Sequence, residues 1–138
     1  GISMKHEVKF SDVINGSLIG YIVISYQKLV EAFGLPNSTG DDYKIDAEWI
    51  LEDCDSGNVF RIYNWKDGVN YCGEGGTPIK DIDNWNIGAN DSSFTILFLS
   101  KYLNERKIRH FISQGSGLAS LLRCYNYQEK PIMEVDNV

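Results

Sequence analysis

The chain has 138 residues, 43% hydrophobic and 23% charged, with a formal net charge of −6. That length suits one domain whose core needs no disulfide or metal staple. The acidic balance argues against a duplex nucleic-acid binder, which rests on a broad basic footprint, and no apolar run approaches the roughly 20 residues of a membrane-spanning helix.

Three cysteines, Cys54, Cys72 and Cys124, are odd in number and form no CxxC pair, which suits reduced thiols in a reducing compartment. Gly1-Ile2-Ser3 reads as a vector remnant ahead of an initiator Met4, and no hydrophobic signal region follows it. We therefore expect a soluble intracellular protein, with one domain over residues 4–127 and a loose tail over 128–138. Charge is divided unevenly: residues 1–91 carry 15 acidic and 7 basic side chains, residues 92–138 only 4 acidic and 6 basic. A small anion at the basic end remains compatible with this split.

Taken in order, Lys5 to Phe10 suits a first strand, and Asn15-Gly16 is a turn signal. Leu18 to Ile24 is apolar and β-branched, which predicts a buried strand. Ser25 is placed to cap a short helix over Tyr26 to Phe33, with Leu29, Val30 and Phe33 on one face and Gly34 as its stop. Leu35 to Asp42 reads as an exposed loop. In residues 47–65, Trp49 and Leu51 alternate with Glu48 and Glu52, and Phe60 and Ile62 alternate with Arg61 and Tyr63. That period of two predicts a hairpin with one buried face, closed by Asp55-Ser56-Gly57-Asn58, and places Glu48 and Glu52 in solvent.

Trp65 to Asp83 holds Gly68, Gly73, Gly75, Gly76 and Pro78, too many breakers for a helix or central strand, and reads as a turn or lid. It lacks the lysine and following helix of a phosphate-binding P-loop. Asn84 to Gly88 suits a strand beside the hairpin. Asn90-Asp91-Ser92-Ser93 caps the longest helix, Ser93 to Glu105, whose apolar surface is so broad that it needs cover on two sides, from the sheet and from either a second subunit or a final helix. Ile108 to Ile112 suits a strand or a helical turn. Gln114-Gly115-Ser116-Gly117 breaks it, and Leu118 to Tyr125 has the spacing of a second C-terminal helix, with Leu118, Leu121, Leu122 and Tyr125 on its apolar face. The fold class is thus α+β: an antiparallel sheet of about five strands, a short N-terminal helix and two C-terminal helices.

The candidate chemistry lies at the basic end. Arg106, Lys107, Arg109 and His110 precede Ser116 and Gly117, which open a helix carrying Arg123. Exposed backbone N–H groups, a helix N-terminus and forked guanidinium groups together suit the phosphates of a nucleotide. With Trp65 and Trp85 on or beside the sheet, the candidate ligand-binding set is Arg106, Arg109, Ser116, Gly117, Arg123, Trp65 and Trp85. Catalysis finds less support. Ser116 and His110 lack the setting of a nucleophile elbow, and with two histidines and no metal-ligand spacing no metal or cofactor is expected. A binder is favoured over an enzyme.

The succession of residues 24–34 (Ile-Ser-Tyr-Gln-Lys-Leu-Val-Glu-Ala-Phe-Gly), 47–52 (Ala-Glu-Trp-Ile-Leu-Glu), 62–66 (Ile-Tyr-Asn-Trp-Lys) and 85–88 (Trp-Asn-Ile-Gly) resembles a family of small proteins of DNA viruses. The family spans phage proteins and accessory proteins of large amoeba-infecting viruses, and is similar to the phage anti-Thoeris sponges that sequester cyclic ADP-ribose signals. The resemblance covers residues 24–100. It implies an antiparallel sheet with two C-terminal helices, a homodimer or higher assembly, and a non-enzymatic role in the host-cell cytoplasm. For the sponges it further implies a nucleotide pocket of aromatics and C-terminal arginines, with Arg109 and Arg123 of the matching type. The competing expectation is a viral protein-interaction or virion-associated module whose acidic face meets a basic host or viral partner.

Overall fold

The computed structural model of the protein describes residues 5–13, 16–39, 43–115 and 123–126. Seven strands, β1 (Val8–Phe10), β2 (Ser17–Val23), β3 (Glu48–Asp53), β4 (Val59–Tyr63), β5 (Asn84–Ala89), β6 (Phe111–Gln114) and β7 (Arg123–Asn126), form one antiparallel sheet in the order β1-β3-β4-β5-β2-β6-β7. Three helices accompany it: α1 (Tyr26–Phe33), the short α2 (Val69–Cys72) and α3 (Ser92–Glu105). The α+β class matches the sequence reading, with seven strands in place of about five.

The hairpin forms as its alternation dictates. Trp49 pairs with Ile62 and Leu51 with Phe60, all four buried on one face. Gly57 takes φ +78°, a left-handed turn conformation in which a side chain is strained. The Asp53 carboxylate accepts from the Asp55 N–H at 3.0 Å and the Ser56 hydroxyl at 2.6 Å, tightening the same turn. Glu48, expected in solvent, is instead 1% exposed. Residues distant in sequence account for this: Arg61 Nη1 donates to Glu48 Oε2 at 2.6 Å, and the Ser38 hydroxyl donates to Oε1 at 3.1 Å, so the buried carboxylate is paired rather than stranded.

Helices α1 and α3 pack together on the face carrying Ile22, Trp49, Phe60, Ile62, Trp85 and Ile87. Ser25 caps α1 by accepting from the Lys28 N–H, and Gly34 ends it. The indole N–H of Trp49 donates to the Gly34 carbonyl at 2.9 Å, and that of Trp85 to the Ile24 carbonyl at 3.0 Å. Tyr102 on α3 donates to the Ala32 carbonyl at 2.7 Å. Asp91 caps α3 by accepting from the Phe94 N–H.

The breaker-rich segment between β4 and β5 contains α2 and two single turns of 3₁₀ helix, Gly73–Gly75 and Ile79–Asp81. It is held by a polar clasp. The Asn64 side chain, fully buried, accepts from the Asp46 and Ala47 N–H groups at 2.7 and 3.1 Å and donates to the Asp46 and Asp67 carboxylates, each at 2.9 Å. Asp46 also receives the Asn70 N–H at 3.0 Å. Gly68 passes so close that a Cβ there would land on the Asp46 carboxylate.

The C-terminal part corrects one expectation. Arg123–Asn126 is not helical but strand β7, with Tyr125 opposite Ile112 and Cys124 opposite Ser113. Over these four residues the open N–H and C=O row of β6 is satisfied by a neighbouring strand. Residues 118–122, the rest of the expected helix, and the tail over 128–138 lie outside the described residues.

Asn64→Ala is expected to destabilise the fold by about 3 kcal/mol or more, because it strands two buried N–H groups and two carboxylates at once. Urea unfolding should show a lower midpoint with an unchanged slope. Gly68→Ala should move the midpoint in the same direction.

Candidate functional site

With α1 and α3 on one face, the opposite face of the sheet carries side chains unlike those of a water-facing sheet. Register places Leu18, Arg61 and Gly88 in one row, and Tyr21, Asn86, Tyr63 and Ser113 in the next. Val23 and Phe111 stand side by side beyond them, both substantially exposed. Arg61, paired to Glu48, lies across the Tyr63 ring at 4.5 Å and over Gly88, where a Cβ would crowd it. This pair packs against Tyr63, which lines a groove on the same face.

The groove, about 430 Å³, is lined by Leu18, Tyr21, Tyr63, Trp65 and Asn86. Burial raises the Tyr63 hydroxyl above the usual tyrosine value, against smaller lowering effects from the Arg61 charge and a hydrogen bond from Asn86. It therefore stays a protonated, neutral hydroxyl at physiological pH. Trp65 stands edge-on to Tyr63 at 6.2 Å and is 42% exposed. Lys44 and Lys66 hold their ammonium groups 5.4 and 5.9 Å from its ring centroid, within cation–π range. Lys66 also lies 5.7 Å from the ring of Tyr71, which stacks on Tyr43 at 5.5 Å. The Lys66 backbone takes φ +62°, unusual for a residue with a side chain, and its N–H donates to the Lys44 carbonyl at 2.8 Å. The two aromatic–lysine pairs, Tyr43-Lys44 and Trp65-Lys66, are thus brought together at one end of the open face. Flat π faces beside mobile ammonium groups can stack a planar ring and neutralise an attached phosphate.

The other residues singled out in the sequence do not converge on this place. Trp85 is fully buried on the helix-covered face, edge-on to Trp49 at 5.4 Å, so the sheet lies between it and Trp65. Arg106 is a structural strap: it donates to the His6 carbonyl at 2.7 Å and the Tyr102 carbonyl at 3.2 Å, stacks on the Tyr102 ring at 3.6 Å, and pairs with Glu7 and Glu105. Arg109 is exposed in the connection between α3 and β6. Arg123 opens β7 opposite Gln114, not a helix, which removes the helical setting expected for it. Ser116 and Gly117 lie outside the described residues. His110 is buried, its Nδ1 2.7 Å from the Ile108 carbonyl. Sequence reasoning missed Lys44, Tyr43, Tyr71 and Asn86. The repeated aromatic–lysine dipeptide was a signal for the first two.

Sequence reasoning also missed the partner of His6. Glu105 accepts from its N–H at 2.8 Å and meets its Nδ1 at 2.6 Å, while Phe98 contacts the ring edge-on at 5.5 Å. Burial pushes the Glu105 carboxyl up, but the His6 hydrogen bonds and the His6 and Arg106 charges outweigh it and hold the group below the usual glutamate value. Among the described residues no three His, Cys, Asp or Glu side chains are grouped to hold a metal ion, and no helix is long and apolar enough to cross a membrane.

Comparison with family models, curated proteins and solved structures finds no match. The functional reading therefore rests on the side chains themselves.

Because the Glu105 carboxyl is lowered on folding, its contribution to stability is present above the unfolded-state value of about 4.3 and is lost as pH falls through the lower folded value. Glu105→Gln should therefore destabilise the protein at pH 7 and flatten the acid limb of its stability curve. Urea midpoints of the two proteins, measured from neutral pH down to that range, should converge.

Proposed function

We propose that this chain is a non-enzymatic viral accessory protein that binds a small nucleotide-like signalling molecule of host defence at the open-face groove and withholds it from its receptor. The observation that carries the binding site is the exposed Trp65 ring flanked by the Lys44 and Lys66 ammonium groups. The base stacks on Trp65, the lysines meet the phosphates, and Asn86 with the Tyr21 and Tyr63 hydroxyls supplies hydrogen bonds to the base or ribose. Stacking on one aromatic contributes about 1–3 kcal/mol, and two ammonium groups add attraction that weakens with salt. The viral setting rests on the sequence resemblance.

A second reading, a protein-interaction or virion-associated module, is favoured by the Val23 and Phe111 pair on the same face. An apolar patch beside an aromatic groove also suits a polypeptide partner.

Trp49 and Trp85 are fully buried, so ligand-induced quenching of tryptophan fluorescence reports chiefly on Trp65. Titration with cyclic ADP-ribose isomers and cyclic oligonucleotides should give saturable quenching. Trp65→Ala should weaken affinity about tenfold or more in calorimetry, and Lys44→Ala with Lys66→Ala should weaken it with a reduced salt dependence. Ligand released by denaturation should be chemically intact. Absence of heat with every nucleotide tested, or affinity indifferent to Trp65→Ala, would remove the groove from consideration, and recovery of a cleaved product would make the protein an enzyme.

A further inference from the structure

The helix-covered side of the molecule carries a separate groove of about 320 Å³ between α3, the β3–β4 turn and the N-terminal segment. That volume is at the small end for organic ligands and suits a single ring. Much of its lining is apolar and aromatic. Phe94 and Leu97 of α3 line it and are each 40% exposed, and Phe94 lies nearly parallel to Phe98, with ring centroids 6.4 Å apart. His6 lines it too, edge-on to Phe98 at 5.5 Å. The Nδ1 of His6 is engaged by Glu105 at 2.6 Å, and Glu105 does not line the groove, so Nε2 is the ring nitrogen left to meet a ligand. Glu105 also accepts from the His6 backbone N–H, and the two contacts together hold the imidazole in one orientation.

We infer that this groove is a second small-molecule site, for a neutral compound that joins an aromatic ring to a hydroxyl group, with the ring against Phe94, Leu97 and Phe98 and the hydroxyl on His6 Nε2. A hydroxyl suits that nitrogen in either protonation state, because it donates to a neutral imidazole and accepts from a charged one. The ligand ring is buried against rings already set at stacking and edge-on distances. Neutrality follows from the charges. Lys101 and Asp55 both line the groove, so an anion drawn to one is opposed by the other, and so is a cation. Asp53, the other lining carboxylate, accepts from the Asp55 N–H and the Ser56 hydroxyl and is committed to the turn. The site lies across the sheet from Trp65, so its test is independent of the nucleotide reading.

Phenol is the probe, with toluene, benzoate and benzylamine as comparisons, each titrated into the full chain and followed by NMR. Phenol should give saturable shifts at the His6 Cε1–H signal and at the Phe94 and Leu97 amides, while the Trp65 indole N–H signal stays in place. Toluene lacks the hydroxyl and should bind about tenfold more weakly, the scale of one hydrogen bond. Benzoate and benzylamine should also bind more weakly than phenol. His6→Phe keeps a ring but removes the nitrogen, and should abolish the advantage of phenol over toluene. Leu97→Asp, at an exposed position, should weaken both. Circular dichroism melts check that each variant is folded, and should His6→Phe unfold, the toluene comparison and Leu97→Asp decide. Phenol that gives no saturable shift at the groove, binds no better than toluene or keeps its advantage in His6→Phe would overturn the assignment, as would benzoate or benzylamine binding more tightly than phenol.

Discussion

Two indole rings hold the architecture in place. Trp49 and Trp85 meet edge to face in the centre of the sheet, and their N–H groups reach carbonyls at opposite ends of α1, Gly34 and Ile24. Each ring brings a large apolar area and one donor that must find a partner once buried. The only backbone acceptors these donors use are the ones that flank the helix, so α1 is fastened at both ends by the same pair that fills the core. α3 then packs against α1 through Tyr102 and the stacked Phe33 ring. Everything apolar on the helical side follows from that arrangement.

The one-sided placement of helices gives the other face its character. Antiparallel sheets often turn one face to water, and such a face is ordinarily polar. Here it carries Leu18, Tyr21, Val23, Tyr63 and Phe111, with one buried ion pair, Glu48–Arg61, as its fixed polar element. A charge pair with its acid so thoroughly covered contributes geometric specificity more than net stability. It holds Arg61 over the Tyr63 ring, one wall of the groove. The lysines at the far end are of a different kind: long cations set over the Trp65 ring.

What could be read from the sequence was local. The Ser25 and Asp91 caps, the Gly34 stop and the pairing of the hairpin strands each depend on nearby residues and are present as expected, whereas the single buried face expected of the hairpin is not, since Glu48 and Ile50 are buried too. What could not be read depended on distant residues. Glu48 is buried because Arg61 and Ser38 arrive beside it, and Arg123–Asn126 is a strand because β6 offers an open edge. The Trp65 and Trp85 question was partly legible. Trp85 and Ile87 share one parity in β5 while Asn84 and Asn86 share the other, and this alternation alone sends Trp85 into the core. Trp65 follows the end of β4, where parity no longer speaks, and its neighbours Lys44 and Tyr43 come from a separate loop. Of the residues proposed for the basic end, Arg106 has partners that the sequence does not show: the carbonyls and carboxylates of its own chain around the end of α3.

The strap formed by His6, Glu105 and Arg106 joins positions 99 and 100 apart in sequence. A contact of such span cannot be made early. On a ribosome the first strand emerges long before its anchor on α3 exists. An open strand edge is a template for the wrong partner. Charged side chains at that edge, Glu7 and Lys9, with Lys9 paired to Glu52 at 3.5 Å, disfavour pairing with a foreign strand. The C-terminal end of α3 thus holds the first strand in place, so a change that frays this helix end also loosens the β1 edge of the sheet.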